Sequence, residues 1–271
     1  MLSRLLGEFL LFLVHLIVNV LVAVQNVYHQ FWAKRDDLPT CELTKRDISI
    51  VMEHVPRLRK KLHHLVVLAH TEYHSLSDLA RVVIWSLVAG IPYVSLYDVT
   101  VIINKIKRIK YYMLHIFFAG NLKQDEEKLF HKIQQHKKGV PGYIKWANKP
   151  DLNGYTNGMN AHTVIVNIFD SYDGRPKIAQ CVSHIAAESS IENYKELTVE
   201  ELNYRLNLMY PSIPDPDLVI YTGPVCRTSG LLPWQIRLTE FIQLSLDHSV
   251  NVKSYIGALY KYNKCDQRFG K

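Results

Sequence analysis

A short apolar run near the C-terminal end constrains the fold of this chain more than any other stretch. Leu218 to Tyr221 follows two prolines, Pro214 and Pro216, and precedes Gly223-Pro224. An apolar run of this length between turn-forming residues predicts a strand that is buried on both faces, as in parallel sheets covered by helices. The loop from Thr222 to Gly230 would then lie outside the strand end, where open α/β sheets bind ligands.

The preceding chain repeats an alternation of strands and helices. His64 to His70 predicts a first buried strand, Ser77 to Ala89 a helix capped by Ser77, and Ile91 to Asp98 a second strand. This order predicts a Rossmann-like, mainly parallel sheet flanked by helices. Further predicted elements are a helix over 121–138, a strand over 162–168 and helices over 175–188, 197–208 and 231–241.

Composition restricts the class of protein. The 271 residues allow one anchor and one domain with a single sizeable core, and the net charge of +7 fits an anionic membrane surface or a diphosphate substrate. No nucleic-acid recognition motif accompanies that charge, and neither a P-loop nor a dinucleotide fingerprint is present. The four cysteines are widely spaced, which favours ordinary thiols.

Residues 5–32 are nearly all apolar and predict a membrane segment of marginal quality. It lacks a convincing cleavage site, so an uncleaved anchor is favoured over a signal peptide. Glu8, His15, Asn19 and Asn26 fall on one stripe, which leaves open a helix that spans the bilayer and one that lies in its surface. Basic residues follow the segment, which places the later domain in the cytosol.

Four histidines, His63, His64, His70 and His74, cluster around the first predicted strand. The spacing of His70 and His74 would suit zinc on a helix, but the segment lies at a strand end. Histidines with satisfied hydrogen bonds are the favoured interpretation, and no metal site is predicted in this chain.

Two motifs lie in the last third of the chain, namely Pro216-Asp217-Leu218-Val219-Ile220 and Leu231-Leu232-Pro233-Trp234-Gln235. They resemble the frame of the last active-site segment of the cis-prenyltransferases, which condense isopentenyl diphosphate onto an allylic diphosphate. The resemblance implies the fold of that family over residues 57–271, after an anchor at 1–33 and a linker with an outer helix at 34–56.

At several catalytic positions of that family, this chain has other residues. The aspartate that holds magnesium in the family falls on His70, and its first phosphate-binding arginine falls on Tyr221. Imidazole is a poor magnesium ligand, so the chain should not ionise an allylic diphosphate itself. Arg227 and Ser229 keep family positions and leave open weak ligand binding in a vestigial pocket.

These departures are similar to those of the Nogo-B-receptor-like, non-catalytic subunits of heteromeric dehydrodolichyl diphosphate synthase. The C-terminal Arg268-Phe269-Gly270 resembles their Arg-x-Gly tail, which completes the active site of the partner. The resemblance implies a heterodimer or higher hetero-oligomer with a catalytic chain at the endoplasmic reticulum membrane. Arg268 and Gly270 would serve isopentenyl diphosphate, the partner would hold Mg²⁺, and the product would supply dolichol synthesis and protein glycosylation.

The apolar positions of the predicted 231–241 helix are the candidate dimer face, namely Leu231, Trp234, Leu238 and Phe241. A function of another class stays open beside the accessory subunit. In that alternative the chain is a pseudoenzyme that acts as a membrane receptor or scaffold, with no part in chain elongation.

Overall fold

The computed structural model describes residues 7–17, 19–20, 40–70, 73–99, 121–147, 163–188, 197–246 and 248–266. The chain divides into two compact units, residues 1–40 and 41–271. In the first unit, residues 7–17 and 19–20 are helical, and large apolar side chains such as Phe9 and Phe12 are exposed. None of the described helices combines the length and apolar character that crossing a bilayer requires. The anchor at 1–33 therefore stays a prediction.

From residue 40 onward, the described residues form six helices and six strands that are interspersed along the chain. The helices are α1 (Thr40–His54), α2 (Leu76–Val88), α3 (Glu126–Lys137), α4 (Arg175–Glu188), α5 (Val199–Met209) and α6 (Val252–Lys264). The strands are β1 (His64–Ala69), β2 (Tyr93–Asp98), β3 (Tyr143–Trp146), β4 (Thr163–Phe169), β5 (Leu218–Thr222) and β6 (Glu240–Ser245).

The six strands form one sheet in the order β3-β4-β2-β1-β5-β6, and every neighbouring pair is parallel. The predicted parallel α/β sheet is therefore confirmed. β1 lies in the middle of the sheet, where Leu65 pairs with Val94 of β2 on one side and with Leu218 of β5 on the other.

The two faces of the sheet carry cores of unequal size. Leu65 and Val67 of β1 point into the larger core, which α1, α2, α3 and α6 cover. Val66 and Leu68 point into the smaller core, whose cover includes Leu231 and other residues of the 231–236 segment. Successive side chains of a strand point to opposite faces of the sheet, so β1 contributes to both cores.

The start of α2 differs from the prediction by two residues. Ser75, not Ser77, is the N-cap; its hydroxyl accepts from the backbone N–H of Asp78, and the carboxylate of Asp78 accepts from the backbone N–H of Ser75. This reciprocal capping box satisfies two donors at once, which Ser77 could not do. The hydroxyl of Ser77 instead lies 2.7 Å from Nε2 of His136 on α3.

The predicted helix over 231–241 is wrong. Turns follow Gly230, a single 3₁₀ turn covers Ile236–Leu238, and Phe241 belongs to strand β6. Pro233 lacks a backbone N–H, and the residues after Thr239 gain ladder hydrogen bonds by pairing with β5. The apolar residues that recur every three or four positions, Leu231, Trp234, Leu238 and Phe241, therefore belong to different elements.

Candidate functional site

The carboxyl ends of the strands meet at one edge of the sheet. Ala69 of β1 pairs with Asp98 of β2, and Thr222 of β5 pairs with Ser245 of β6. His70, Asp170 and Gly223 follow β1, β4 and β5 directly. This edge is where the parallel topology predicts a binding crevice.

A cluster of histidine, tyrosine and threonine side chains joins the ends of β1, β5 and β6. Nδ1 of His74 lies 3.1 Å from the backbone N–H of His70, and Nε2 of His74 lies 3.0 Å from the hydroxyl of Thr222. The same hydroxyl lies 3.0 Å from Nδ1 of His248, whose ring stacks on Tyr73. We call these five residues the histidine cluster.

The hydrogen bonds of the histidine cluster fix its protons. Nδ1 of His74 accepts from a backbone N–H, so the ring carries its proton on Nε2 and donates it to the Thr222 hydroxyl. That hydroxyl is then free to donate to Nδ1 of His248. Burial and, to a smaller extent, the neighbouring His70 lower the pKa of His74 to about 3. His74 is therefore a neutral hydrogen-bonding group and not a cation for phosphate.

The described side chains that surround His70 are poor ligands for magnesium. Mg²⁺ takes oxygen ligands, above all carboxylates, whereas the groups around His70 are the rings of Tyr73, His74 and His248. Within the described ranges, no group of three or more histidine, cysteine, aspartate or glutamate side chains could hold a metal ion. The rings of the histidine cluster therefore offer no carboxylate ligand for the metal, and neutral His74 offers no charge for a diphosphate.

A second polar cluster fixes the loop after β4. Nζ of Lys123 lies 3.2 Å from Asp170 and 2.7 Å from Asp173, and Nζ of Lys177 lies 3.1 Å from Asp173. Burial opposes the negative charge of Asp173, but the Lys123 hydrogen bond and the other donors outweigh it and lower the pKa of that carboxyl. Because these carboxylates are already paired with lysines, the cluster orders the Ser171–Asp173 turn.

This turn lies against the loop after β5. A Cβ on Gly174 would stand 2.1 Å from the carbonyl oxygen of Gly230, so only glycine allows the two backbones to approach so closely. Tyr97 ties the same loop to β2, because its hydroxyl donates to the carbonyl of Ser229 at 2.7 Å. The loop that carries the family motif is therefore held from two sides.

A cleft of about 370 Å³ opens between the two loops. Its polar lining comprises Ser171, Arg175, Thr228 and Ser229, and its apolar wall includes Leu231 and Ile236. Of the two predicted vestigial residues, Ser229 lines this cleft. Arg227 lies two positions earlier on an exposed part of the loop.

The structure separates the four predicted interface residues. Leu231 is fully buried in the smaller core, Trp234 and Phe241 are half-buried, and Leu238 is 53% exposed. Nε1 of Trp234 donates to the side-chain oxygen of Asn203 at 3.0 Å, which places this turn beside α5. Arg268 and Gly270 lie outside the described residues.

Sequence reasoning missed His248. Its ring closes the histidine cluster, yet a single histidine between β6 and α6 gives no pattern that could reveal this. It also missed β6 and α6, although two signals were available. Ile242 and Leu244 alternate with polar residues, and Asn251 caps a helix whose buried side chains recur at helical spacing.

Comparisons with known proteins agree with this architecture. Residues 60–270 match the family described as "Putative undecaprenyl diphosphate synthase". The mouse and human dehydrodolichyl diphosphate synthase complex subunits named Nus1 are 31% and 30% identical over 76% of this chain. The chain spans 64% and 65% of the length of those two relatives.

A bacterial relative is similar in sequence, and a plant enzyme of known structure shares the fold. An isoprenyl transferase of Thermotoga maritima is 26% identical over 71% of this chain and 83% of its own length. A lavandulyl diphosphate synthase from Lavandula x intermedia superposes with a TM-score of 0.54 at 15% identity, over 78% of this chain and 98% of that structure. The chain belongs to the undecaprenyl diphosphate synthase family of cis-prenyltransferases.

Proposed function

We propose that this chain is the non-catalytic subunit of a heteromeric dehydrodolichyl diphosphate synthase. In this proposal a catalytic partner condenses isopentenyl diphosphate onto farnesyl diphosphate, and the long cis-polyprenyl product supplies dolichol synthesis and protein glycosylation. The single observation that carries the proposal is the end of β1. There His70, whose backbone N–H donates to the ring of His74, falls on the position that the resemblance assigns to the metal-binding aspartate of the family.

The two subunits divide the chemistry. The partner would hold Mg²⁺, which would neutralise the diphosphates on that subunit. This chain would contribute Arg268 and Gly270 to the site of the partner. Arginine pairs with phosphate oxygens through two N–H groups, and glycine lets the backbone approach them closely. Neither role needs an intact active site in this chain.

The surface of α4 and α5 is our candidate for the partner contact. α4 buries Cys181 alone and α5 buries Leu206 alone, whereas a helix of a soluble domain normally buries a full stripe. An ion pair of 2.8 Å between Arg205 and Glu188 joins the two helices. Large apolar side chains stay exposed on them, namely Val182, Val199, Tyr204 and Leu208. We call these four residues the α4–α5 surface.

The occupant we propose for the α4–α5 surface is the catalytic subunit. The mouse and human relatives are themselves named as complex subunits, which supports a protein partner. Leu238, in the turn that Trp234 joins to α5, would extend the same surface. This location replaces the predicted helix over 231–241 as the dimer face.

Membrane attachment through residues 5–32 is part of the proposal. Exposed apolar side chains on residues 7–17 would be covered by lipid, with the later domain on the cytosolic side of the endoplasmic reticulum. Membranes from expressing cells test this directly. Alkaline carbonate should leave the full chain in the pellet and release a chain that lacks residues 1–33. Release of the full chain would contradict the anchor.

A substitution in the C-terminal tail tests whether this chain contributes to the site of the partner. A complex with Gly270→Ala should assemble normally and lose most of its isopentenyl diphosphate turnover, because a Cβ keeps the backbone away from the diphosphate. Gly257→Ala on α6 is the matched control, because an added Cβ there has open space around it. Full turnover with Gly270→Ala would remove the tail from the mechanism. Co-purification without synthase activity would favour the receptor or scaffold alternative.

A further inference from the structure

The C-terminal end of α6 is fastened to the segment that precedes β1. The side-chain oxygen of Asn263 accepts two hydrogen bonds, from the backbone N–H groups of Arg59 and Lys60, both at 2.8 Å. Residues 58–63 belong to no helix or strand, so these two N–H groups have no regular ladder to join. One side-chain atom therefore satisfies both donors and fixes the segment against the helix.

Lys60 completes the attachment from the other direction. Its Nζ donates to the carbonyl of Cys265 at 3.0 Å and stands 4.2 Å from the centre of the Tyr262 ring. The last carbonyls of a helix have no partner within the helix, so a lysine that binds one holds the helix end in place. We call Asn263 and Lys60 together the tail clamp.

The tail clamp acts at the end of α6, a few residues before the predicted tail. Cys265 is the last residue it contacts, and Arg268 follows three positions later. Three residues reach at most about 10 Å, so a fixed Cys265 confines Arg268 to a small volume. The clamp is also rigid, because residues 59–60 lead within four positions into the central strand β1 and α6 is packed into the larger core.

We propose that Asn263 and Lys60 are positioning residues that hold the exit of the C-terminal tail and so place Arg268 and Gly270 for the catalytic partner. This inference rests on the proposed function. A shorter free tether raises the effective concentration of a group at its target site. When the clamp opens, the last turn of α6 frays, the tether lengthens and a smaller fraction of complexes has a completed site.

The test compares variants of the full heteromeric complex by their kcat and KM for isopentenyl diphosphate. Asn263→Leu removes the acceptor at similar size, while Asn263→Asp keeps an oxygen that accepts both N–H groups. Lys60→Met removes the donor, and Lys261→Met on the exposed side of α6 is its matched control. We expect Asn263→Leu and Lys60→Met to raise KM about three- to tenfold, as a longer tether predicts. Asn263→Asp and Lys261→Met should stay close to wild type.

A tether insertion separates positioning from a general loss of stability. Two glycines inserted after Asp266 should raise KM in the wild-type background and add little in the Asn263→Leu background, because the tether is already released there. Wild-type KM for both Asn263→Leu and Lys60→Met, beside an inactive Gly270→Ala complex, would overturn the clamp and leave the proposed function standing. A fully active Gly270→Ala complex would overturn the proposed function itself.

Discussion

The imidazole of His248 and the phenol ring of Tyr73 lie nearly parallel, with centroids 4.0 Å apart and an interplanar angle of 14°. The imidazole also packs on Gly223, where an added Cβ would stand 2.4 Å from Cε1 of His248. Gly223 also has a φ of +85°, which favours glycine. The ring of His248 therefore lies this close to the residue after β5 only because residue 223 has no side chain.

The first prediction concerns this contact. Gly223→Ala should destabilise the chain by about 2–4 kcal/mol, since it adds backbone strain and displaces the His248 ring. In a His248→Ala background the ring is absent, so only the strain should be left. A double-mutant cycle from urea unfolding should give a coupling of about 1 kcal/mol or more. Additive effects of the two substitutions would show that the contact does not constrain residue 223.

The second prediction concerns His136, which joins three helices. Its Nδ1 lies 2.9 Å from the hydroxyl of Thr44 on α1, and its Nε2 lies 2.7 Å from the hydroxyl of Ser77 on α2. Burial and, to a smaller extent, the neighbouring Arg81 lower the pKa of His136 to about 4. The unfolded chain, with a histidine pKa of about 6.5, binds the proton more readily. The stability that neutral His136 provides is therefore present above pH 6.5 and lost as the pH falls towards 4.

Urea unfolding at a series of pH values measures this effect. The wild-type midpoint should fall between pH 6.5 and 4, and His64, whose pKa burial lowers to about 4, adds to the same trend. His136→Gln should be less stable at pH 7 but lose about 1 kcal/mol less per pH unit over that range, because one fewer proton is taken up. Equal slopes for the two proteins would contradict a neutral buried His136.

The third prediction concerns the α4–α5 surface. Leu208 is 66% exposed on α5, so Leu208→Asp should leave the isolated chain folded. If the catalytic subunit covers this surface, the buried carboxylate should weaken the complex by about 2 kcal/mol or more. Met52→Asp is the matched control, since Met52 is 62% exposed on α1. Size-exclusion chromatography with the purified catalytic subunit measures how much complex each variant forms. Equal complex formation by the two variants would place the interface elsewhere.

Sequence patterns predicted the elements whose burial is uniform along their length. β1 and β5 are apolar at nearly every position because both faces of the sheet are covered, and both strands lie within a residue of their predicted bounds. α4 begins and ends at its predicted residues, Arg175 and Glu188. The local sequence therefore sufficed to predict an element whose residues share one pattern of burial along its whole length.

Prediction failed where contacts distant in sequence decide the conformation. The 231–241 segment has helical spacing, but pairing with β5 draws its last residues into β6. The same limit applies to the candidate site. The loss of the metal-binding carboxylate at His70 could be inferred from a motif. The hydrogen bond between Thr222 and His248 joins residues 26 positions apart and follows only from the packing of β6 beside β5.

The central claim is that this chain cannot elongate a prenyl chain alone and enables a partner to do so. The most direct measurement incubates the purified chain, the catalytic subunit and their complex separately with farnesyl diphosphate, labelled isopentenyl diphosphate and Mg²⁺. We predict no product from this chain alone and long-chain cis-polyprenyl diphosphate from the complex, at a rate well above that of the catalytic subunit alone. Elongation by this chain alone would contradict the account.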